Sequence, residues 1–472
     1  MRALFENNKN IIFFSQKGWE FLGKTNKRTV IENDEIADNC LPIDPIELRS
    51  IVIKWLPVIY RWTDLSVGVE HTLCATILLI SQIARQINNL RLDAVIFHTG
   101  VAHHYDSMVL SIACEICQVR QVYLYSNVFD GGLIPLIQHG GFDKRKVLSW
   151  KGGHKTYSDL IDEYITKRVQ GETPATSDPQ TIAANWWKCN IVIALAYATY
   201  QNSLRIFDAT RFLFRNSKVA RRIEVNDYSL LNHTKLLFSQ FLYLREYYNR
   251  CVSLTPSNST SSGSAPIRLM IVAHYQPEAT SFPEGWNYFT HIDMAIKVRS
   301  LGYSDIIYYK EHYATKFYIE RHVGLTRVGI SRSREYLNAL LQLRCVLVSP
   351  DKPVSLGSPI LPLTITGTIA IERALLGLRT VVFGRPWYLG LPGTIHVDEL
   401  ESLREIPPSW TVPDKNIAIQ AKEFLINQLS HNTITNIAAI GTGKRNTDRE
   451  EARRFEAECK KLLSFINENN LN

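Results

Sequence analysis

The sequence has no apolar stretch long enough to cross a bilayer. Its longest apolar runs, at 76–80 and 191–198, fall well short of the ~20 residues a transmembrane helix needs. A secretory leader is not expected either, because charged and Asn-rich residues precede an apolar run confined to 11–14, too short for a signal-peptide core. The cysteines lie at 40, 74, 114, 117, 189, 251, 345 and 459, without framework spacing, which points to reduced thiols and a cytosolic compartment. Cys114-x-x-Cys117 sits in a helical pattern and lacks a second pair, so neither metal nor redox use is expected of it. No Lys/Arg block is dense enough for a nucleic-acid binder, and no internal repeat is visible.

What is present is the composition of a globular chain. With 472 residues, 45% hydrophobic and 21% charged, it has material for two or three domains with a core each. The net charge of +8 favours anionic partners such as nucleotides, lipid phosphates or a membrane face. Runs at 11–14, 92–97 and 121–125 read as strands, and 73–87 and 108–117 as helices, with Asp106 or Ser107 able to cap the second. Residues 1–147 are therefore an α/β domain. From 148 to 252 the pattern is mainly helical and rich in Trp, Tyr, Arg and Leu. Residues 253–266 are small and polar with Pro and Gly, unable to form a core, and read as a linker.

Strands at 267–273, 305–309 and 345–348 and helices at 287–301 and 333–343 make 267–412 a second α/β domain, with helices following at 413–472. Two such Rossmann-like domains, with a helical insertion, place a ligand cleft outside the carboxyl ends of both sheets.

The most informative stretch is 361–393. A β-branched run at 363–366 is broken by Gly367 and Thr368, a helix pattern fills 369–377, and a second buried run at 380–383 leads to Arg385, Pro386, Trp387 and Tyr388. This is a strand, turn, helix, strand unit of a parallel sheet. Amides at such a helix start, with the hydroxyls of Thr366 and Thr368, can hold a phosphate. The Gly-Thr-Gly-Lys run at 441–444 is a decoy for a P-loop: Ala438 and Arg445 occupy positions where that motif needs Gly and Ser/Thr.

Polar clusters follow the strands of the second domain. Lys310 and His312 could neutralise a phosphate, Glu372 could accept ribose hydroxyls, and Gln276 or Glu278, beside His274, could meet a base or sugar. The plainer alternatives are a solvated strand end for Lys310-Glu311, a surface position for His312 and an exposed helix position for Glu372. Trp387 and Tyr388 could stack on a base or close the core under a loop. In the first domain His98, His103, His104 and Asp106 follow a strand, where a general base for an attacking hydroxyl is wanted. A metal there would need more convergent ligands than this spacing supplies.

Taken together, these motifs resemble the capsule and surface polysaccharide biosynthesis proteins of GT-B-like architecture, a group that includes the Kdo transferases of capsule assembly. The matching residues are HYQPEAT at 274–280 with Pro283-Glu284-Gly285, YKEH at 309–312, Ser333-Arg334-Glu335-Tyr336, TITGT at 364–368 with Glu372, and VFGRPWY at 382–388 with Pro392-Gly393. Two positions depart: Tyr313 stands where the family has proline, and Ile369-Ala370-Ile371 precedes Glu372 where a small and an aromatic residue are usual.

The resemblance implies a cytoplasmic glycosyltransferase, peripheral on the inner face of the plasma membrane. It would use a nucleotide sugar, CMP- or UDP-linked, as donor substrate, a glycan or glycolipid acceptor, and no obligatory metal or other cofactor. It implies donor-phosphate contacts from Lys310 and His312, a helix-start cradle of Thr366, Gly367 and Thr368, and Glu372 on the ribose. The residues themselves add His274, Gln276, Arg385, Trp387 and Tyr388 as candidate substrate contacts and His103, His104, Asp106 and Glu278 as candidate catalytic groups. The rival expectations are a sugar-nucleotide epimerase or hydrolase, and a non-catalytic subunit of an export assembly.

Overall fold

Apolar periodicity organises the first packing unit. In helix α2 (Val69–Leu90), Ile80, Ile83, Ala84 and Ile87 are buried, the i, i+3, i+4, i+7 stripe of a helix laid on a core. Each of those isoleucines contributes about 1.5–3 kcal/mol by leaving water. Ahead of it, α1 (Pro45–Lys54) begins with proline at its first position and Asp44 as cap, the carboxylate accepting the Ile46 N–H at 2.9 Å. The structure, a computed structural model, describes residues 11–14, 44–56, 59, 69–90, 92, 94–97, 105–130, 132–138, 146–148, 156–170, 230–252, 267–274, 284–312, 315, 332–350 and 360–433, with isolated positions at 192, 196, 199–200, 203, 457, 461–462 and 464–465.

The first sheet runs in the order β1-β2-β3-β4-β5. Strands β1 (Ile11–Phe14), β2 (Ala94–Phe97) and β3 (Arg120–Ser126) are parallel. Strands β4 (Leu133–Gln138) and β5 (Lys146–Val147) then continue antiparallel. Strand β4 is not expected from the sequence because Pro135 reads as a strand breaker. Its carbonyl accepts the Leu148 N–H at 2.9 Å, so its donorless nitrogen faces the short β5 edge rather than β3. Helix α3 (Tyr105–Ile116) starts early enough to take Asp106 and Ser107 into its first turn, so neither is its cap.

The second sheet has six parallel strands: β6 (Arg268–Val272), β7 (Ile307–Lys310), β8 (Cys345–Val348), β9 (Ile360–Thr364), β10 (Thr380–Val382) and β11 (Thr394–His396). Their spatial order is β11-β10-β9-β6-β7-β8. Numbered from the first strand of the sheet, that is 6-5-4-1-2-3, the doubly wound order read from its far edge, with its switch point between β6 and β9. Both faces are covered. On one lie α5 (Leu230–Arg250), α6 (His291–Ser300) and α7 (Arg334–Gln342), and on the other α8 (Ile369–Leu375) and α9 (Lys415–Asn432). Within β10, Val382 belongs to the first core and Val381 to the second, the two-residue alternation of a strand.

Local chemistry sets the helix ends. Thr290 and Asp293 form a reciprocal capping box, each accepting the other's backbone N–H at 3.1 Å. That starts α6 later than the apolar pattern from 287 suggests. Gly377 ends the α8 segment at φ +76°, where a Cβ would lie 2.2 Å from the Asp414 carbonyl oxygen, so no larger residue fits.

Helix α5 precedes the Ser-rich stretch yet packs on the second sheet through Phe241, Tyr243, Leu244 and Tyr247. Val252 then pairs with Val348 of β8. The second unit thus takes in chain on both sides of 253–266. Helices α8 and α9 share one continuous core with α2, α3 and the first sheet, so the two sheets are joined by packing. Among the described residues no helix is long and apolar enough to cross a membrane. Of the helical region expected at 148–252, nearly all of 171–229 lies outside the described residues, as do the linker 253–266 and the 441–444 decoy.

Candidate functional site at the switch point of the second sheet

Because β6 and β9 are neighbours, the residues that follow them meet. His274, two residues past β6, is buried. Its Nε2 accepts the Thr366 N–H at 3.1 Å and stands 3.0 Å from the Thr364 hydroxyl. That acceptor role assigns the ring proton to Nδ1. The Thr364 hydroxyl accepts the Gly367 N–H at 3.0 Å. Gly367 has no room for a side chain, since a Cβ would lie 2.5 Å from Thr364 Oγ1. The phosphate cradle expected of Thr366, Gly367 and Thr368 is therefore corrected in part: two of its amides are engaged inside the loop, whose only exposed member is Thr368.

Behind His274 lies a buried polar network. The His274 N–H donates to His291 Nε2 at 2.9 Å, which leaves His291 Nδ1 to donate to the Tyr336 hydroxyl at 3.1 Å. Burial, and then the charge of Arg332, push the His291 pKa well below its ordinary value, consistent with a neutral ring. Arg332 lies 4.8 Å from the Tyr336 ring centroid. It makes a two-pronged ion pair with Glu311, Nε to Oε2 at 2.5 Å and Nη2 to Oε1 at 2.9 Å, with both side chains 1% exposed.

Glu311 also accepts the hydroxyls of Tyr243 at 2.6 Å and Tyr309 at 3.1 Å and the His312 N–H at 2.9 Å. Burial alone would raise its pKa, but Arg332 and these donors hold it below the usual carboxylate value. Glu311 is thus no solvated strand end. It anchors the turn after β7 to α5.

The other predicted residues separate. Lys310, the last residue of β7, sends Nζ to the Pro350 carbonyl at 2.9 Å, on the β8 side and away from the switch point. His312 is half-buried and close enough for its charge to bear on His291. The Arg385 N–H donates to the Glu284 carbonyl at 2.8 Å. Trp387 and Tyr388, candidates for stacking on a base, are instead 9% and 2% exposed and form part of the shared core. The Tyr388 hydroxyl donates to the Gly367 carbonyl at 2.7 Å. Glu372 is not an exposed helix position either; it is buried, and its partners are Tyr164, Arg168 and Thr368. His98, His103, His104, Gln276, Glu278 and Tyr313 lie outside the described residues, as does the side chain of Asp106.

Residues not singled out from the sequence complete the arrangement. Tyr125, near the carboxyl end of β3, donates its hydroxyl to Glu284 in the segment after β6. Arg168 and Tyr164 come from α4 (Ser158–Val169), which Lys422 of α9 also holds through Asp162 at 2.7 Å. Of these only Glu284 lies in a recognisable motif; the rest carry no local signal, because their partners are more than 100 positions away in the chain. No protein-family model, curated protein or solved structure matches this chain, so its chemistry has to be argued from its own residues.

Proposed function

We propose that the protein is a GT-B-like glycosyltransferase, moving a sugar from a nucleotide-sugar donor to a growing surface glycan or glycolipid at the inner face of a bacterial plasma membrane. One observation carries this reading. The loops after β6 and β9 meet at the switch point of a doubly wound sheet, and the Tyr125–Glu284 bond sets them against the carboxyl end of β3 in the other sheet. Open α/β sheets bind ligands at that point, and two such edges facing each other suit a donor on one side and an acceptor on the other.

In the reaction, a base from the His103, His104, Asp106 cluster or Glu278 takes the acceptor hydroxyl's proton. The oxygen forms its bond to the anomeric carbon, and the bond from that carbon to the phosphate oxygen breaks with its electron pair leaving on the nucleotide. His312 and Thr368, the exposed residue of the loop, are placed to meet that negative charge.

The test is a thermal-shift screen of the full chain with CMP, UDP, GDP, ADP and TDP, repeated with His312→Ala, followed by donor assays with and without acceptor. A ligand at 100 times its Kd stabilises by about 2.7 kcal/mol. At about 2–4 °C per kcal/mol for a unit of this size, a true donor nucleotide should raise Tm by roughly 5–10 °C. His312→Ala should lose the shift and the transfer while keeping the fold. No shift with any nucleotide would favour the second reading, a non-catalytic subunit, which the engaged amides of Thr366 and Gly367 and the fully partnered Glu372 support. Turnover of donor without acceptor would favour an epimerase or hydrolase.

A further inference from the structure

Glu372 stands one turn past the loop that closes the switch point, and its charge is met from the other packing unit. Its Oε1 accepts Arg168 Nε at 2.9 Å, the Tyr164 hydroxyl at 3.0 Å and the Thr368 hydroxyl at 3.3 Å, and its Oε2 accepts Arg168 Nη2 at 3.1 Å. A carboxylate oxygen offers about two acceptor positions, and Oε1, with three donors, is already full. A vicinal diol, which must donate two hydroxyls to the same oxygens, can enter only if a present donor leaves.

Arg168 is the donor able to leave. It lies in the last turn of α4, and its side chain is 23% exposed against 1% for Glu372, so its guanidinium can pass into water while the carboxylate cannot. Tyr164 is held from behind, its ring 5.1 Å from that of Phe129 in an edge-on contact. Burial, and then the charge of Glu372, raise its pKa, which keeps its hydroxyl a donor. The far side of α4 is tied by Lys422 to Asp162.

We infer that α4 is a strap: Arg168 occupies Glu372 in the ligand-free chain, and a ligand carrying a vicinal diol, the ribose of a nucleotide, competes with it for that carboxylate. The inference rests on the nucleotide reading for its ligand but not for the strap itself. Arg168 thereby scales the affinity down to the fraction of time Glu372 is released from it, and release of Arg168 is the step that opens α4.

The experiment uses the full chain, its Arg168→Met and Tyr164→Phe variants, and CMP, UDP and their 2′-deoxy counterparts. Calorimetry reads affinity, and hydrogen exchange reads residues 158–169. Arg168→Met should bind CMP or UDP at least tenfold tighter than the parent chain, with no gain for the 2′-deoxy nucleotides. Its α4 amides should exchange at least tenfold faster while those of β6 and β9 stay protected. Tyr164→Phe, which keeps the ion pair and therefore the fold, should shift both readouts in the same direction by less.

Equal or weaker nucleotide binding by Arg168→Met, with the parent chain binding normally, overturns the competition. Unchanged α4 exchange in both variants overturns the strap. Failure of every form to bind either nucleotide overturns the nucleotide reading and the diol with it, whereas faster α4 exchange in those same samples still upholds the strap.

Discussion

Arg332→Met tests whether the polar network beneath His274 is held by charge. The substitution keeps an unbranched stem but removes the guanidinium that meets Glu311 at 2.5 and 2.9 Å. Both partners are 1% exposed, so solvent screening does not soften the loss. Breaking a buried pair from one side costs about 3–5 kcal/mol. The cost should depend on pH, and its sign follows from linkage. In the parent chain the Glu311 pKa lies below its ordinary value of 4.5, so its contribution is complete above that value and is lost as pH falls through the folded pKa.

Without Arg332, burial pushes the carboxyl the other way. The native state of the variant then binds more protons than the unfolded chain, and its stability falls as pH rises above 4.5. The slope is up to about 1.4 kcal/mol per pH unit until the raised pKa is passed. The penalty should therefore be larger at pH 7.5 than at pH 5. Urea denaturation followed by near-UV circular dichroism suits the measurement, because Tyr243, Tyr247, Tyr309 and Tyr336 cluster around the pair and report on the second unit. Adding Glu311→Gln should return part of the loss. A penalty under about 1 kcal/mol at pH 7.5, or one that does not change with pH, would refute the reasoning.

Three further outcomes are expected. His291, whose pKa is lowered from 6.5, should make the parent chain lose stability as pH falls below that value, by up to about 1.4 kcal/mol per pH unit; His291→Gln, compared by urea midpoints between pH 7.5 and 5.5, should flatten that slope. Gly367→Ala sets a Cβ 2.5 Å from Thr364 Oγ1 and should cost about 1–3 kcal/mol while removing any nucleotide-induced rise in Tm. Trp387→Ala should cost about 3–5 kcal/mol as a core truncation, measured by denaturation; unchanged stability with lost nucleotide binding would return the ring to a stacking role.

What is legible in the chain, and what is not, divides along the range of the interactions. The strand, Gly-Thr break and helix at 361–377 can be read because each signal lies within a few residues of what it controls, down to Gly377 at φ +76°. The meeting of His274 with Thr366 is legible at one remove, since both follow strands of one parallel sheet. Strand β4 is hidden because Pro135 contradicts it locally, and its neighbour β3 supplies the pairing. The place of α5 is hidden for a different reason. Its apolar face shows a helix but not which sheet it covers, and the Ser-rich stretch after it reads as a domain end although Val252 still pairs with Val348.

The two acids of the candidate site show why burial alone does not identify a ligand group. Glu311 directly follows β7 and Glu372 lies in the helix after β9, each is 1% exposed, and a buried carboxylate must be met by charge or hydrogen bonds. Glu311 is met by Arg332, equally buried and from the same packing unit. Opening that pair would disrupt the core of α5 and α7, so it is structural and persists whether or not a ligand is bound. Glu372 is met by Arg168 from the other unit, through a guanidinium that water already reaches. Withdrawing it disturbs one helix and leaves the second sheet whole. An acid whose counter-charge can be withdrawn at that small a structural cost is one a ligand can claim. Of the two, Glu372 is therefore the one at which binding and the relation between the sheets can be coupled.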